Sequence, residues 1–336
     1  MIDFRERCDR VRAEMDQQAI DYLLVGPSSD LVYLIGYAAR QSERLTLFVL
    51  PRQGTPRLVM PRFELPRVEK LATFFEPASW TETQNPTELL ASLLPDRARD
   101  MTIAVGGQLY TYFLLRIQQA IPHARYVAGE LVIEPVRMRK TPYEIDQLRG
   151  ASEAADAVFE ALLKLPLVGL SEKEILAHIH RLLLEKGHDS VGGGIVGIGP
   201  NGASPHHHVS DRQAAIGDAV VIDYGGVRND YRSDITRTFH IGPPSDEFRR
   251  VYDIVNEANQ KAFEAVCPGV LAERIDAAAR DHIAAAGFGP QFLHRTGHGI
   301  GLDGHEPPYI VSGNKTPLEE GMAFSIEPGI YLAGKF

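Results

Sequence analysis

Four segments of the sequence carry side chains able to hold a divalent cation or move a proton. Asp223 closes the apolar run AVVID, and Asp234 follows eleven residues later in SDITRTF. The intervening GGVRNDYR is rich in turn formers, so the two segments are predicted to form a hairpin. With both acids on one side of it, their carboxylates repel unless a cation lies between them or one keeps its proton. The plainer reading is a pair of turn or capping aspartates. The third segment, HRTGHGIGLDGHEPP at 294–308, spaces His294, His298 and His305 with glycines rather than at helical intervals. Imidazole is a common ligand for borderline divalent metals, and glycine lets backbone approach a site closely. In the fourth, Glu327 ends the apolar stretch FSIE just before Pro328 and Gly329, as at the end of a buried strand. An acid there is costly unless paired or metal-bound. Asp223, Asp234, His298 and Glu327 form an oxygen-rich set. It suits Mn²⁺, Co²⁺ or Zn²⁺ in a paired site better than a sulfur-type structural zinc.

What must position these residues is a unit used twice. Gly169, Ile175 and Gly187 are matched by Gly269, Ile275 and Gly287, each 100 residues later. SEKEILAHIHRLLLEKG and LAERIDAAARDHIAAAG are therefore predicted to be equivalent helices with equivalent stops. Downstream, GDAVVID (217–223) matches GMAFSIE (321–327) at an offset of 104. Two copies make an internal pseudo-two-fold, each delivering one carboxylate at the same point of a strand. The first 135 residues read differently. Phe4, Cys8, Val11 and Met15 recur at helical spacing, and TELLASLL and TYFLLRIQQAI also read as helices. DYLLVG, LTLFVL, RLVM and MTIAVG are short apolar runs bounded by Pro or Gly, as buried strands are. Such alternation implies an α/β layer domain. The boundary falls between about 128 and 141, where Thr141, Pro142 and Glu144 signal a helix start.

Other features carry no chemistry. GGGIVGIG (192–199) lacks the Lys-Ser/Thr and the following helix of a phosphate loop, so it reads as a strand leading into SPHHHVSD. His178 and His180 fall in the helical repeat and read as packing or surface; Trp80 and the tyrosines of the first domain show no chemical pattern. The 336 residues are 44% hydrophobic and 24% charged, an ordinary globular composition long enough for two cores. A net charge of −9 without a basic tract argues against nucleic-acid binding. No apolar run approaches a membrane span, and MIDFRERCDR is too charged for a signal peptide. Cys8 and Cys267 read as free thiols, which points to the cytoplasm.

In order and spacing, VVIDYGG, SDITRTF, HRTGHGIG, HEPP and SIEPGIY resemble the signatures of the creatinase/prolidase/aminopeptidase P superfamily of metallopeptidases. RCDRVRAEMDQQAIDYLLVGPSSDLVYLIGY resembles its amino-terminal domain, so the likeness spans nearly the whole chain. Methionine aminopeptidases share the catalytic fold without that domain, and the prolidase/aminopeptidase P branch fits better. The resemblance implies an α+β fold: a creatinase-like α/β N-terminal domain over 1–135, then a pita-bread catalytic domain over 136–336. It implies Asp223 and Asp234 as metal ligands, Asp234 bridging two ions, with His298 and Glu327 on the second ion and Glu327 also the general base. His206 follows Pro205 and stands five residues before Asp211, matching one active-site histidine. His207 and His208 are extra, since neighbours on an extended segment face opposite sides. His305 matches the second active-site histidine, beside the scissile bond. His294 is divided between a supporting hydrogen bond and plain packing. The implied reaction is hydrolysis of the bond before proline in Xaa-Pro peptides or dipeptides, by a hydroxide shared between two Mn, Co or Zn ions in a homodimer.

One element of the superfamily pattern has no match. Its fifth ligand is a glutamate in a segment resembling G-x-R-x-E-D shortly after EPGIY, whereas this sequence ends at YLAGKF. The expectation is therefore a catalytic domain truncated at its C-terminus or lacking that ligand, holding one metal or none, with activity in question. The rival readings are a creatinase-like C–N hydrolase that works without metal, and an inactive relative serving as a binding module. Retention of Asp223, Asp234, His298 and Glu327 argues against both, while the missing glutamate counts for the binding module.

Overall fold

The computed structural model describes residues 2–94 and 100–336. It divides into two compact units, Met1–Arg137 and Met138–Phe336. The first runs through α1 (Phe4–Gln17), β1 (Tyr22–Val25), α2 (Ser29–Ile35), β2 (Leu47–Pro51), β3 (Arg57–Pro61) and α3 (Leu65–Val68). It continues with β4 (Glu76–Trp80), α4 (Pro86–Leu93), β5 (Thr102–Val105), α5 (Thr111–Ala120), β6 (Arg125–Ala128) and α6 (Glu130–Met138). One mixed sheet, in the order β4-β3-β2-β1-β5-β6, forms its middle layer. The apolar runs read as strands are β1, β2, β3 and β5, and Cys8, Val11 and Met15 form the buried stripe of α1. The two strands with no sequence signal are β4 and β6, the sheet edges. EPASW and RYVA are only partly buried there, so they need no continuous apolar run.

The second unit opens with α7 (Pro142–Leu162), whose Thr141 and Glu144 close a capping box around Pro142 at the first turn. There follow α8 (Glu172–Glu185), β7 (Ser190–Ile198), β8 (Ala219–Arg228), β9 (Tyr231–Arg232) and β10 (Ile235–His240). Then come α9 (Asp246–Glu264), α10 (Ala272–Ala285), β11 (Gly297–Gly299) and β12 (Glu306–Ile310). Strand β8 runs antiparallel between β7 and β10, and β11 pairs with β12.

The repeat is structural. Gly169 and Gly269 take φ of 88° and 85°, Gly187 and Gly287 take 101° and 91°, and Gly217 and Gly321 take 100° and 87°. Side chains rarely adopt that left-handed backbone, so each copy spends its glycines at the same three turns. Gly169 N–H donates to Ala214 O at 2.8 Å, and Gly269 N–H to Leu318 O at 2.7 Å. Each copy also has its own core. Ile175, Ile179, Val196 and Ile222 centre one, and Ile275, Ala279, Ile283 and Ile310 the other.

One local expectation is corrected. FSIE is not a regular strand: its backbone pairing is an isolated bridge from Phe324 to Gly299 and hydrogen bonds to Thr296 and His298. The segment is extended, but Pro328 has no N–H with which to continue the pairing. Among the described residues no helix is long and apolar enough to cross a membrane.

Candidate metal centre

The hairpin forms as read. Asp223 on β8 lies opposite Thr236 on β10, and Asp234 sits two residues before Thr236. Because side chains alternate along a strand, Asp234 shares the face of Thr236 and so of Asp223. The approach is close: a Cβ at Gly225 would run into the Ser233 carbonyl oxygen. The second copy builds the facing wall by the same device. A Cβ at Gly297 would run into the Ser325 carbonyl, so glycine there lets the Glu327 segment lie against β11. Glu327 N–H donates to Thr296 O at 2.7 Å and Ser325 N–H to His298 O at 2.8 Å.

These two walls bring Asp223, Asp234, His298 and Glu327 together in one cavity of about 960 Å³. His298 Nε2 lies 3.1 Å from Glu327 Oε1 and 3.4 Å from Asp234 Oδ2. Its Nδ1 is 3.0 Å from the Gly299 carbonyl, a contact that assigns a proton to Nδ1 and turns Nε2 to the acids. Ser325 ties the group together, with its hydroxyl donating to Glu327 Oε1 at 2.8 Å and accepting from His298 N–H at 3.0 Å.

Without a cation this donor set works against itself. Burial, then repulsion by Asp234 and Glu327, pushes the Asp223 carboxyl up to about 7, against a hydrogen bond from Thr236. Asp234 is raised too, by burial and by Glu327. Burial also acts on Glu327, but the hydrogen bond and charge of His298 and the Ser325 hydroxyl outweigh it and hold Glu327 below the usual range. Burial likewise works against the His298 imidazolium, but the bond to Glu327 and the Gly299 carbonyl raise it above its ordinary value. His298 Nε2 therefore faces the same carboxylates that a cation would draw on. Hard carboxylates plus one imidazole, crowded until they repel, fit a divalent ion of the Mn²⁺, Co²⁺ or Zn²⁺ type.

His305 stands just before β12, its ring centroid 3.9 Å from that of His298. Burial, then the charges of His298 and Arg295, lowers it, so it is a neutral imidazole. Ligand atoms of Asp234, His298 and His305 all lie within 4.8 Å of one another, so geometry lets His305 ligate as well as contact substrate. His206 also lines the cavity. Its segment is not extended as expected but a turn, closed by His207 N–H to Ser204 O at 3.2 Å. His207 turns away to Glu172, with Nε2 2.7 Å from Oε2. His294 is hydrogen-bonded as well as packed: its Nε2 is 2.8 Å from the Tyr331 hydroxyl. Thr236, Arg295, Ser325 and Tyr331 escaped the sequence reading, because nothing in their spacing sets a wall residue apart. Glu172 escaped it inside a helix start, SEKE, that reads as solvated.

This fold and centre define the class. The chain belongs to metallopeptidase family M24, whose model matches residues 146–336, and a creatinase/prolidase N-terminal domain matches residues 7–139. The pita-bread catalytic domain behind a creatinase-like domain, expected from the sequence, is therefore its fold. Among particular relatives, the probable dipeptidase PepE of Mycobacterium tuberculosis is 42% identical over 318 residues, which is 94% of this chain and 84% of that one. The Xaa-Pro dipeptidase of Lactobacillus helveticus is 33% identical, over 97% of this chain and 90% of its own. The crystal structure of a prolidase from Thermococcus sibiricus matches with a TM-score of 0.95 at 36% identity, covering 100% of this chain and 92% of that one.

Proposed function

We propose that the protein is a metal-dependent dipeptidase that cleaves the Xaa-Pro bond. The observation that carries this is the convergence of Asp223, Asp234, His298 and Glu327 in one cavity walled by His206 and His305. In this reading Asp223, Asp234, His298 and Glu327 would hold up to two divalent ions of Mn, Co or Zn. Bound there, such ions supply a Lewis acid and lower the pKa of a coordinated water toward neutrality. Glu327, ionised and anchored by Ser325, accepts a proton and returns it to the departing nitrogen. His305, a neutral imidazole, offers an N–H to the substrate carbonyl as charge develops, and His206 steadies the peptide from the cavity wall.

The choice of dipeptides is supported by the relatives named dipeptidases and by Arg295. Its guanidinium lies in the cavity wall, 4.4 Å over the Tyr309 ring, with no carboxylate partner among the described residues. A cation so placed suits the free carboxylate of a dipeptide. The test is a rate comparison with Ala-Pro, Ala-Ala and Ala-Pro-Ala under each metal. Ala-Pro should be turned over fastest; equal rates on Ala-Pro and Ala-Ala would overturn the reading.

We further infer a cytoplasmic homodimer. The two thiols, Cys8 buried and Cys267 exposed, form no disulfide and suit a reducing compartment. Tyr110, Tyr112 and Leu115 at the start of α5 are half exposed and offer an apolar interface. Light scattering on the purified chain checks the dimer.

A further inference from the structure

We propose that Glu172, outside the metal centre, is the residue that positions His206. The inference rests on the reading of His206 as a substrate-side residue. Glu172 is the first residue of α8, and its side chain is fully buried. Among the described residues it has no Lys or Arg partner. A buried carboxylate without such a countercharge survives only if hydrogen bonds replace its water. Here five do. Oε1 accepts from Ile198 N–H at 2.9 Å and from Asn201 Nδ2 at 2.8 Å. Oε2 accepts from His207 Nε2, Ser210 N–H and Ser210 Oγ, each at 2.7 Å.

All five donors come from one stretch, residues 198–210, and they bracket His206 on both sides. Without this anchor the stretch is a short helical turn and a loop, with little regular pairing to hold it. His207 is the hook. With its ring fixed on Glu172 beneath the loop, the turn over Ser204–His207 leaves His206 directed into the cavity. The second histidine of PHHH therefore has a use that ligation does not explain.

The other copy of the repeat anchors its own histidine segment from the matching helix. Asp276 on α10 is 1% exposed and accepts from Thr296 Oγ1 at 2.7 Å and Thr296 N–H at 3.2 Å, two residues before His298. Arg280 clasps Asp276 through Nε and Nη2, both at 2.9 Å, and Nη2 also donates to His294 O at 2.8 Å. Asp276 does not occupy the position equivalent to Glu172, so the two copies reach one arrangement with different residues.

The test is a double-mutant cycle on the full chain loaded with metal. Glu172→Gln keeps the shape but sets an amide N–H₂ against the His207 and Ser210 donors. Displacing His206 by part of an ångström should lower kcat about 10- to 100-fold, with metal content unchanged. In the His206→Ala background the same change should have little further effect, because both act through one group. If Glu172→Gln multiplies its loss onto that of His206→Ala, or lowers no rate alone, the positioning role is refuted. If His206→Ala itself leaves kcat unchanged, the assignment of His206 fails, and the role of Glu172 with it. Should Glu172→Gln not fold, Asn201→Ala and His207→Asn, each removing one tether, run the same cycle with the same outcomes.

Discussion

Lys140 Nζ lies 2.7 Å from Glu306 Oε1, with the two side chains 2% and 7% exposed. Glu306 begins β12 directly after His305, so this pair fixes the end of the loop that carries a cavity imidazole. Lys140 is itself held by its N–H to Gly321 O at 2.9 Å, at the turn leading toward Glu327. Breaking a buried ion pair by removing one of its charges costs about 3–5 kcal/mol. Lys140→Met should therefore lower the urea-unfolding free energy by about that amount at constant metal. Lys140→Met with Glu306→Leu should recover part of the loss. A single-variant loss under about 1 kcal/mol, the range of surface pairs, would contradict the assignment.

His298 and His305 meet edge to face, yet they should answer differently to removal. His298 points Nε2 at two carboxylates, whereas His305 approaches mainly Asp234 and the neighbouring imidazole. His298→Ala should lose tightly held metal and activity together. His305→Ala should keep its metal while kcat falls roughly 100-fold, as for removal of an oriented hydrogen-bond donor. Metal analysis after gel filtration reads the difference. Metal lost from His305→Ala would move His305 into the ligand set.

Glu172 also sets a pH limit on stability. Burial works against its charge, but donors from His207, Asn201, Ile198 and Ser210 outweigh it and hold the carboxyl at about 2. A folded-state value below the unfolded one contributes stability that is complete above about 4.5 and is lost as pH falls toward about 2. The difference amounts to about 3 kcal/mol. Chemical unfolding at pH 7 and pH 3 should show wild type losing more on acidification than Glu172→Gln. Equal losses would mean that Glu172 is not held ionised by those donors.

Much of this was legible because the sequence carries it in local chemistry. The three glycine pairs mark turns that demand positive φ, and AVVID before a turn-rich stretch marks the hairpin of Asp223 and Asp234. The legible part ends where an element depends on partners distant in the chain. Strands β4 and β6 are edges with weak apolar patterns, so only the sheet identifies them. FSIE has a strand's composition, yet it pairs by one isolated bridge, because β11, its partner, is three residues long and Pro328 has no N–H to extend the ladder. Glu172 and Lys140 lie at or just before polar helix starts whose composition looks solvated; their buried partners stand 35 and 166 residues away.

If Asp223, Asp234, His298 and Glu327 hold two ions, their arrangement should favour one over the other. Asp234, His298 and Glu327 converge within hydrogen-bonding range of one imidazole nitrogen, whereas Asp223 faces them across the hairpin with Thr236 as its neutral partner. An ion held by Asp234, His298 and Glu327 would have three donors. A second would draw on Asp223 and Asp234 alone and would be repelled by the first. Calorimetric titration of the metal-stripped 336-residue chain with Mn²⁺, Co²⁺ or Zn²⁺ should therefore resolve one tight site and at most one weaker site. Asp223→Asn should abolish the weaker site and spare the tight one. An ion at the weaker site must displace any proton on Asp223, which burial and its acidic neighbours favour, so that site should strengthen as pH rises. Two sites of equal affinity, or a weaker site that fades as pH rises from 5 to 7, would break this assignment.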